Sequence, residues 1–297
     1  MRVLLTGRSG QIGWELERAL APLGEVIATD RGTLDLADRD AIRRAVREAK
    51  PEVIVNAGAY TAVDTAESEP ERAMRMNGAA PGVLAEEAKR LGALLVHYST
   101  DYVFDGEKRA PYHEDDPPNP VNVYGRSKLE GERAIAASGA RYLILRTSWV
   151  YGLRGRNFLL AILQRAKAGS ALRVVDDQTG APTWCREVAR TTERIIAQRS
   201  DMAGIYHLSA GGETTWYGFA RAILALARID VEVAPIATAQ YRTAAARPRY
   251  SVLDCAKLAR EFGIALPHWR DSLARCMAGG AYATDAGLAA SDSRNGA

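Results

Sequence analysis

Several features that would direct function are scarce in this chain. Basic residues barely outnumber acidic ones, 39 to 36 for a formal charge of +3, so there is no broad positive field to hold nucleic acid. No apolar run approaches the roughly 18–20 residues that span a bilayer. Met1-Arg2 passes straight into Val3-Leu4-Leu5-Thr6-Gly7, too short an apolar stretch for a signal peptide. The three cysteines, Cys185, Cys255 and Cys276, are scattered, odd in number and free of metal-ligand spacing. They read as buried thiols of a cytoplasmic protein with no membrane or nucleic-acid partner. Of the four histidines, His97 lies in an apolar strand and reads as a satisfied core residue. His113, His207 and His268 have no metal spacing, and no metal is expected.

What is present is ordinary globular composition, 47% hydrophobic and 25% charged, in a length of 297 residues that suits one large domain or two modest ones. The first half alternates short apolar runs with amphipathic segments. Strands are expected at Val3–Thr6, Val26–Thr29, Val53–Asn56, Ala93–Tyr98 and Tyr142–Arg146. Between them, apolar residues recur at helical spacing, as in Ile12, Leu16, Leu20 and Leu23. Ser68-Glu69-Pro70-Glu71 has capping-box spacing and opens a long helix running to Leu91. Another helix covers Val123–Ala137. Strands separated by helices of this length predict βαβ units and a doubly wound parallel α/β sheet covered on both faces. From about residue 153 the pattern is less regular, with helices near 157–168, 185–198, 215–228 and 254–262. This predicts a smaller mixed α/β domain over 153–277, part of it free to return to the first sheet. Residues 278–297 are small and polar and read as a disordered tail.

Gly7-Arg8-Ser9-Gly10-Gln11-Ile12-Gly13 lies between the first strand and the first helix. Glycines there permit a tight turn, close backbone approach to a pyrophosphate and close helix–strand packing, while the helix N-terminus offers free N–H groups. Asp30, at the end of the second strand, has about the spacing of a ribose ligand. Asp30 suits a free 2′-hydroxyl and the adjacent Arg31 a 2′-phosphate, so NADH and NADPH both stay open. Asp35 and Leu36 can reach an adenine.

Tyr124-Gly125-Arg126-Ser127-Lys128 places a phenol and an ammonium four residues apart, on one helical face. Reduction of a carbonyl needs a hydride and a proton for the developing alkoxide. A tyrosine becomes a usable donor when an adjacent cation favours its phenolate. Alone, the spacing is common on solvated helices. Ser99-Thr100-Asp101, at the C-terminal end of the fourth strand, adds a hydroxyl at the end of the sheet where ligands sit.

Taken together, Leu5-Thr6-Gly7…Gly10-Gln11-Ile12-Gly13, Val55-Asn56-Ala57-Gly58-Ala59-Tyr60-Thr61-Ala62-Val63-Asp64, Ser99-Thr100-Asp101-Tyr102-Val103-Phe104, Tyr124-Gly125-Arg126-Ser127-Lys128 and Arg146-Thr147-Ser148-Trp149-Val150-Tyr151 resemble the dTDP-4-dehydrorhamnose reductases, a family of extended short-chain dehydrogenase/reductases. The likeness continues through Asp177–Thr183, Tyr206-His207-Leu208 and Arg247-Pro248, about 270 residues in all. It implies a Rossmann-type NAD(P)-binding domain over residues 1–152 and a mainly sugar-nucleotide-binding domain over 153–277. The reaction implied is reduction of dTDP-4-dehydro-L-rhamnose with NADPH or NADH. The implied triad is Thr100, Tyr124 and Lys128, with the lysine lowering the tyrosine's pKa. Gly7, Gly10, Gln11, Ile12, Gly13, Asp30, Arg31, Asp35, Leu36, Ala57, Gly58, Ala59, Thr61 and Ser99 would line the cofactor site. Thr100, Asp101, Trp149 and Arg247 would meet the sugar nucleotide. Gly58 departs from the family's usual alanine. Some relatives hold a divalent cation between subunits through acidic side chains. Glu15 and Glu187 correspond, but Ala278-Gly279-Gly280 offers no third carboxylate. A homodimer stays open.

Two other readings stand beside this one. Dehydratases on the same fold carry Thr-Asp-Glu at the strand end, where Tyr102 stands here, and a phenol is a poor base at neutral pH. A 4-epimerase uses the same Tyr–Lys pair and stays open. The other is a non-catalytic regulatory subunit of the same fold. Trp184, Trp216 and Trp269 read as core or interface, and Arg249 beside Arg247 as a second candidate for a diphosphate.

Overall fold

The computed structural model describes residues 1–199, 201 and 203–280. Apolar strands and amphipathic helices alternate from the start. β1 (Arg2–Thr6) leads to α1 (Gln11–Leu20), β2 (Glu25–Thr29) to α2 (Arg39–Ala49), and β3 (Val53–Asn56) to α3 (Val63–Ala66), α4 (Pro70–Ala73) and α5 (Ala80–Leu91). β4 (Leu94–Thr100) leads to α6 (Val123–Ser138), and β5 (Arg141–Thr147) follows. The remainder runs β6 (Val150–Tyr151), α7 (Phe158–Lys167), β7 (Leu172–Val175), β8 (Thr179–Gly180), β9 (Thr183–Trp184) and α8 (Cys185–Ala197). It ends with β10 (Gly204–His207), β11 (Thr214–Thr215), α9 (Trp216–Ala227), β12 (Val233–Ile236), α10 (Ala256–Phe262) and α11 (Trp269–Gly280).

Six strands pair in the order β10-β5-β4-β3-β1-β2, all parallel. Strand residues alternate between two dry layers, as a sheet covered on both faces requires. Val3, Leu5, Val55 and Val96 face Leu16 and Leu20 of α1 and Val188 and Ile195 of α8. Leu4, Ile54 and Leu95 face Ile42 and Val46 of α2, Leu84 of α5 and Ile135 of α6. The second half of the chain therefore supplies one strand, β10, and two covering helices, α8 and α10, to the first sheet. A separate core gathers Leu159 and Ile162 of α7, Phe219 and Ile223 of α9, and Trp269 and Leu273 of α11. The order of winding reverses between β1 and β3, which opens a crevice beyond their carboxyl ends.

The helix expected over 68–91 is interrupted. Met74–Ala79 forms a π-helical segment between α4 and α5, an irregularity that often marks a functional site. The capping box does not form. Ser68 Oγ donates to Thr65 O, and Glu69, at the N-cap, makes no side-chain cap bond. Residues 278–280, expected as the start of a tail, finish α11, and 281–297 lie outside the described residues. α11 itself was not foreseen.

Candidate active site

The glycine loop is dictated by contact. Gly7 sits at φ +76°, and a Cβ there would meet Gly58 N at 2.5 Å, so β1 and β3 exit side by side only because neither carries a side chain there. A Cβ at Gly13 would overlap Gly7 O. Gly10 is the N-cap of α1 with no side-chain cap, leaving first-turn amides free for an anion. A pocket of about 530 Å³ lined by Arg8, Ser9, Trp14, Asp30 and Arg154 adjoins the loop. The departure at Gly58 has a steric counterpart, since Leu36 Cδ1 lies 2.6 Å from where its Cβ would stand.

The named cofactor residues divide into two sets. Gly7, Gly10, Gln11, Ile12, Gly13, Ala57, Gly58 and Ala59 cluster at the crevice, and Ser99 is the last residue but one of β4. Others are already engaged. Asp30 Oδ1 accepts from Gly32 N and Thr33 N, closing its own turn, and Asp35 Oδ1 does the same for Ala37 N. Leu36 is buried beneath Gly58, and Arg31 and Thr61 are exposed. Gln11 reaches across to the second half, accepting from Asn157 Nδ2 at 2.8 Å.

The Tyr–Lys helix is seated by small residues and buried polar bonds. Asn122 caps α6 through Gly125 N at 2.7 Å and donates to Ala246 O. Side chains at Gly125 or Gly131 would overlap Tyr102 O or Asn77 O. Asn77, on the π segment, donates to Ser127 Oγ and Tyr60 O and accepts from Tyr60 N. Glu132 receives both Arg146 Nε (2.9 Å) and a terminal guanidinium nitrogen (2.6 Å) in a fully buried bidentate pair that fastens α6 to β5.

That seat brings half-buried Tyr124 beside Thr100. Thr100 Oγ1 donates to Asp101 Oδ1 at 3.0 Å and accepts from Tyr102 N. Burial pushes the Tyr124 phenol up to about 12, Thr100 opposing, so the phenol holds its proton at neutral pH. Lys128 differs from expectation. Its ammonium donates to Tyr98 O at 2.6 Å and meets His97 Nε2 at 3.2 Å, on the sheet side of the helix. Burial lowers it to about 8, with Glu132 opposing. Its bonded partners in this arrangement are thus a carbonyl of β4 and the His97 ring. Tyr102 stacks edge-on against Tyr124, and burial drives its phenol well above 10, which disqualifies it as a base.

Three buried polar atoms lack protein partners around the mouth of β4 and β5: Ser99 Oγ, Asp101 Oδ2 and Thr147 Oγ1. Such atoms are costly unless a ligand or water completes them. Together with the glycine cradle, they fit a polar dinucleotide along the carboxyl ends of the strands. Trp149 borders the same region with a left-handed backbone (φ 46°), uncommon for a bulky residue. Its ring lies flat on Trp216, centroids 3.5 Å apart and planes within 4°. Trp216 Nε1 donates to Gln178 Oε1, and Gln178 Nε2 to Thr238 Oγ1. Trp216 is therefore a partner of Trp149, while Trp184 and Trp269 are core. Arg247 forms a bidentate pair with Asp64 (3.1 and 2.7 Å), and Arg249 is exposed.

This geometry meets its counterpart in known proteins. The family model described as "RmlD substrate binding domain" matches residues 1–281. The chain belongs to the dTDP-4-dehydrorhamnose reductase family. It is 48% identical to the dTDP-4-dehydrorhamnose reductase of Burkholderia thailandensis over 292 residues, 93% of this chain and 98% of that one. With the Salmonella typhimurium enzyme of the same name, identity is 42% and coverage 93% and 97%. The crystal structure of the Bacillus anthracis dTDP-4-dehydrorhamnose reductase in complex with NADP superposes with a TM-score of 0.90 at 34% identity, over 94% of this chain and 99% of that one. Among the described residues of this family member, no helix is long and apolar enough to cross a membrane.

Neither Glu15 nor Glu187 is free. Glu15 pairs with Arg186, while Glu187 accepts from Ser272 Oγ and pairs with Arg275. Sequence reasoning missed His97, Asn77 and Trp216 as parts of the site's frame. His97 alone carried a signal, a titratable ring between apolar neighbours two residues before Ser99.

Proposed function

We propose that this protein reduces the C4 keto group of dTDP-4-dehydro-L-rhamnose to give dTDP-L-rhamnose, using NADPH or NADH. The observation that carries this reading is the protonated Tyr124 phenol beside Thr100, facing unpartnered polar atoms at the strand ends, in a chain of the reductase family. The bound nicotinamide supplies a hydride to the keto carbon. Thr100 and Tyr124 hold the carbonyl oxygen between two hydroxyls, and Tyr124 delivers its proton as the alkoxide forms. Lys128, freed by a small movement from Tyr98 O, holds the ribose and restores the phenol's polarity. Asp101 and Trp149 orient the sugar. Arg247 reaches the diphosphate by exchanging Asp64 for it.

In this reading residues 1–152 hold the cofactor through Gly7, Gly10, Gln11, Ile12, Gly13, Ala57, Gly58 and Ser99. Asp30 and Arg31 border the adenosine ribose, and most of 153–277 holds the sugar nucleotide. Tyr102, in place of an acidic side chain, favours reduction over dehydration. The test is Tyr124→Phe. Turnover of the 4-keto sugar nucleotide should fall by about two orders of magnitude or more, the scale of positioned acid catalysis. NADPH binding, followed by fluorescence, should stay unchanged. Turnover near the wild-type rate would refute the assignment.

A further inference from the structure

Three neighbouring strands carry a polar side chain at the same level, in a layer otherwise filled by Leu4, Ile54 and Leu95. Thr6 pairs in register with Asn56, and Asn56 with His97. All three point to the face covered by α2, α5 and α6, and each is 1% exposed. They form a continuous column. Thr6 Oγ1 lies 2.6 Å from Asn56 Oδ1, Asn56 Nδ2 lies 2.9 Å from His97 Nδ1, and His97 Nε2 lies 3.2 Å from Lys128 Nζ. One end touches the glycine loop, where Gly58 N approaches Thr6 Oγ1 at 3.4 Å. The other ends on an ammonium that is 2% exposed.

Burying four polar groups in a row is costly unless each is satisfied, and the donor inventory leaves little freedom. An ammonium has donors only, and a neutral imidazole has one donor and one acceptor. If Lys128 is charged, His97 Nε2 must accept, Nδ1 must carry the hydrogen, and Asn56 must turn its oxygen toward the ring. With the amide nitrogen toward the ring instead, Nε2 carries the hydrogen and suits only a neutral amine. Which end of an amide faces a ring is settled by such a network. A charged Lys128 therefore requires one tautomer of His97.

We propose that His97 is a positioning residue for Lys128, accepting a hydrogen bond from its ammonium at Nε2 while Asn56 and Thr6 hold the ring in the Nδ1–H tautomer. The column keeps the lysine charged in a dry layer and sets the direction of its Nζ from β4. No carboxylate bonds the ammonium, although the charge of Glu132 favours it from a distance. Glu132 is spent on Arg146, Glu67 on the amide of Val123, Glu69 on Tyr60 and Arg72, and Glu87 on Arg47 and Arg90. Asp101, on the segment following β4, bonds Thr100, and Tyr98 turns its hydroxyl away to Thr192. Burial holds His97 well below its ordinary value, which keeps the ring neutral and able to accept.

The inference rests on the reductase reading for its kinetic arm, but a second arm is independent of turnover. Nitrogen-15 NMR of the wild-type protein at pH 6.5 should find His97 neutral with its hydrogen on Nδ1. Only four histidines contribute signals. A hydrogen on Nε2, or a protonated ring, overturns the proposal. In the kinetic arm, His97→Leu removes the acceptor. The alkaline limb of the kcat–pH profile should then move to lower pH by about one to two units, the equivalent of one hydrogen bond to a charged group. His97→Gln, which keeps an acceptor, should restore most of that shift, and KM for the sugar nucleotide should change little in either variant. A His97→Leu profile that superimposes on wild type overturns the proposal. Normal turnover by both Tyr124→Phe and Lys128→Met would instead remove the reaction assignment and leave the NMR result standing.

Discussion

Asp101 is where burial and charge conflict most directly, and exchanging its carboxylate for an amide converts that conflict into a pH dependence. The side chain is 2% exposed. Thr100 Oγ1 donates to its Oδ1, and its Oδ2 has no partner. Burial raises it from an ordinary 3.8 to about 7. The folded protein thus holds a proton that the unfolded chain releases, so stability falls as pH rises between those values. Linkage puts the cost at about 4 kcal/mol at pH 8 and about 1.5–2 kcal/mol at pH 5 for a shift of this size. Asp101→Asn has no charge to bury. Relative to wild type it should gain about 2–3 kcal/mol between pH 5 and pH 8, whatever constant penalty its amide incurs beside Thr100. In a chain of this length, that widens the difference in melting temperature by about 3–5 °C. The assay is thermal and urea unfolding of both proteins at both pH values, without cofactor. Because each comparison is between two proteins at one pH, groups that titrate in both cancel. Those include Asp64 and Glu87, whose depressed values make stability fall as pH falls. An equal gap at pH 5 and pH 8, or one that narrows, would refute the reasoning.

Trp216→Ala removes the surface on which Trp149 lies and should lower kcat/KM for the sugar nucleotide about tenfold, since a stacked aromatic pair contributes about 0.5–1.5 kcal/mol beyond its burial. Cofactor affinity should be unchanged, and steady-state kinetics with a fluorescence titration separates the two. Arg146→Met leaves Glu132 buried and unpaired and should cost about 3–5 kcal/mol in urea unfolding, whereas Arg146→Met combined with Glu132→Leu should recover much of it. A double variant no more stable than the single one would contradict the pairing argument.

The fold was legible because its signals are local. Each strand is a short apolar run, and each helix repeats its apolar residues at 3.6-residue spacing, so alternation alone predicts the parallel sheet. The π segment at Met74–Ala79 and the failed cap at Ser68 were not legible. They follow from the fit of Asn77 against Gly131 and Ser127, residues some 50 positions away. Capping-box spacing at Ser68 is a local preference, and tertiary packing overrode it. At the site, Thr100, Tyr124 and the glycine loop could be read directly, because strand ends and helical spacing place them. Asp30 and Asp35 each carry two readings at once. An aspartate after a strand suits a ribose, but it also closes its own turn, and here both do the latter. Arg247 was readable as an anion-binding residue, but its partner Asp64 lies 183 residues away.

Lys128 shows why spacing is not contact. Four residues on a helix put its stem beneath Tyr124, but the long side chain chooses among whatever acceptors the tertiary fold provides. Here those are a carbonyl of β4 and the ring of His97, neither detectable from helical periodicity. A residue that looks like filler in an apolar strand can therefore govern the charge of the catalytic lysine. The distinction between a satisfied core histidine and a functional one lies in what it satisfies. His97 is satisfied by an ammonium, and an ammonium buried in a dry layer needs each acceptor it has.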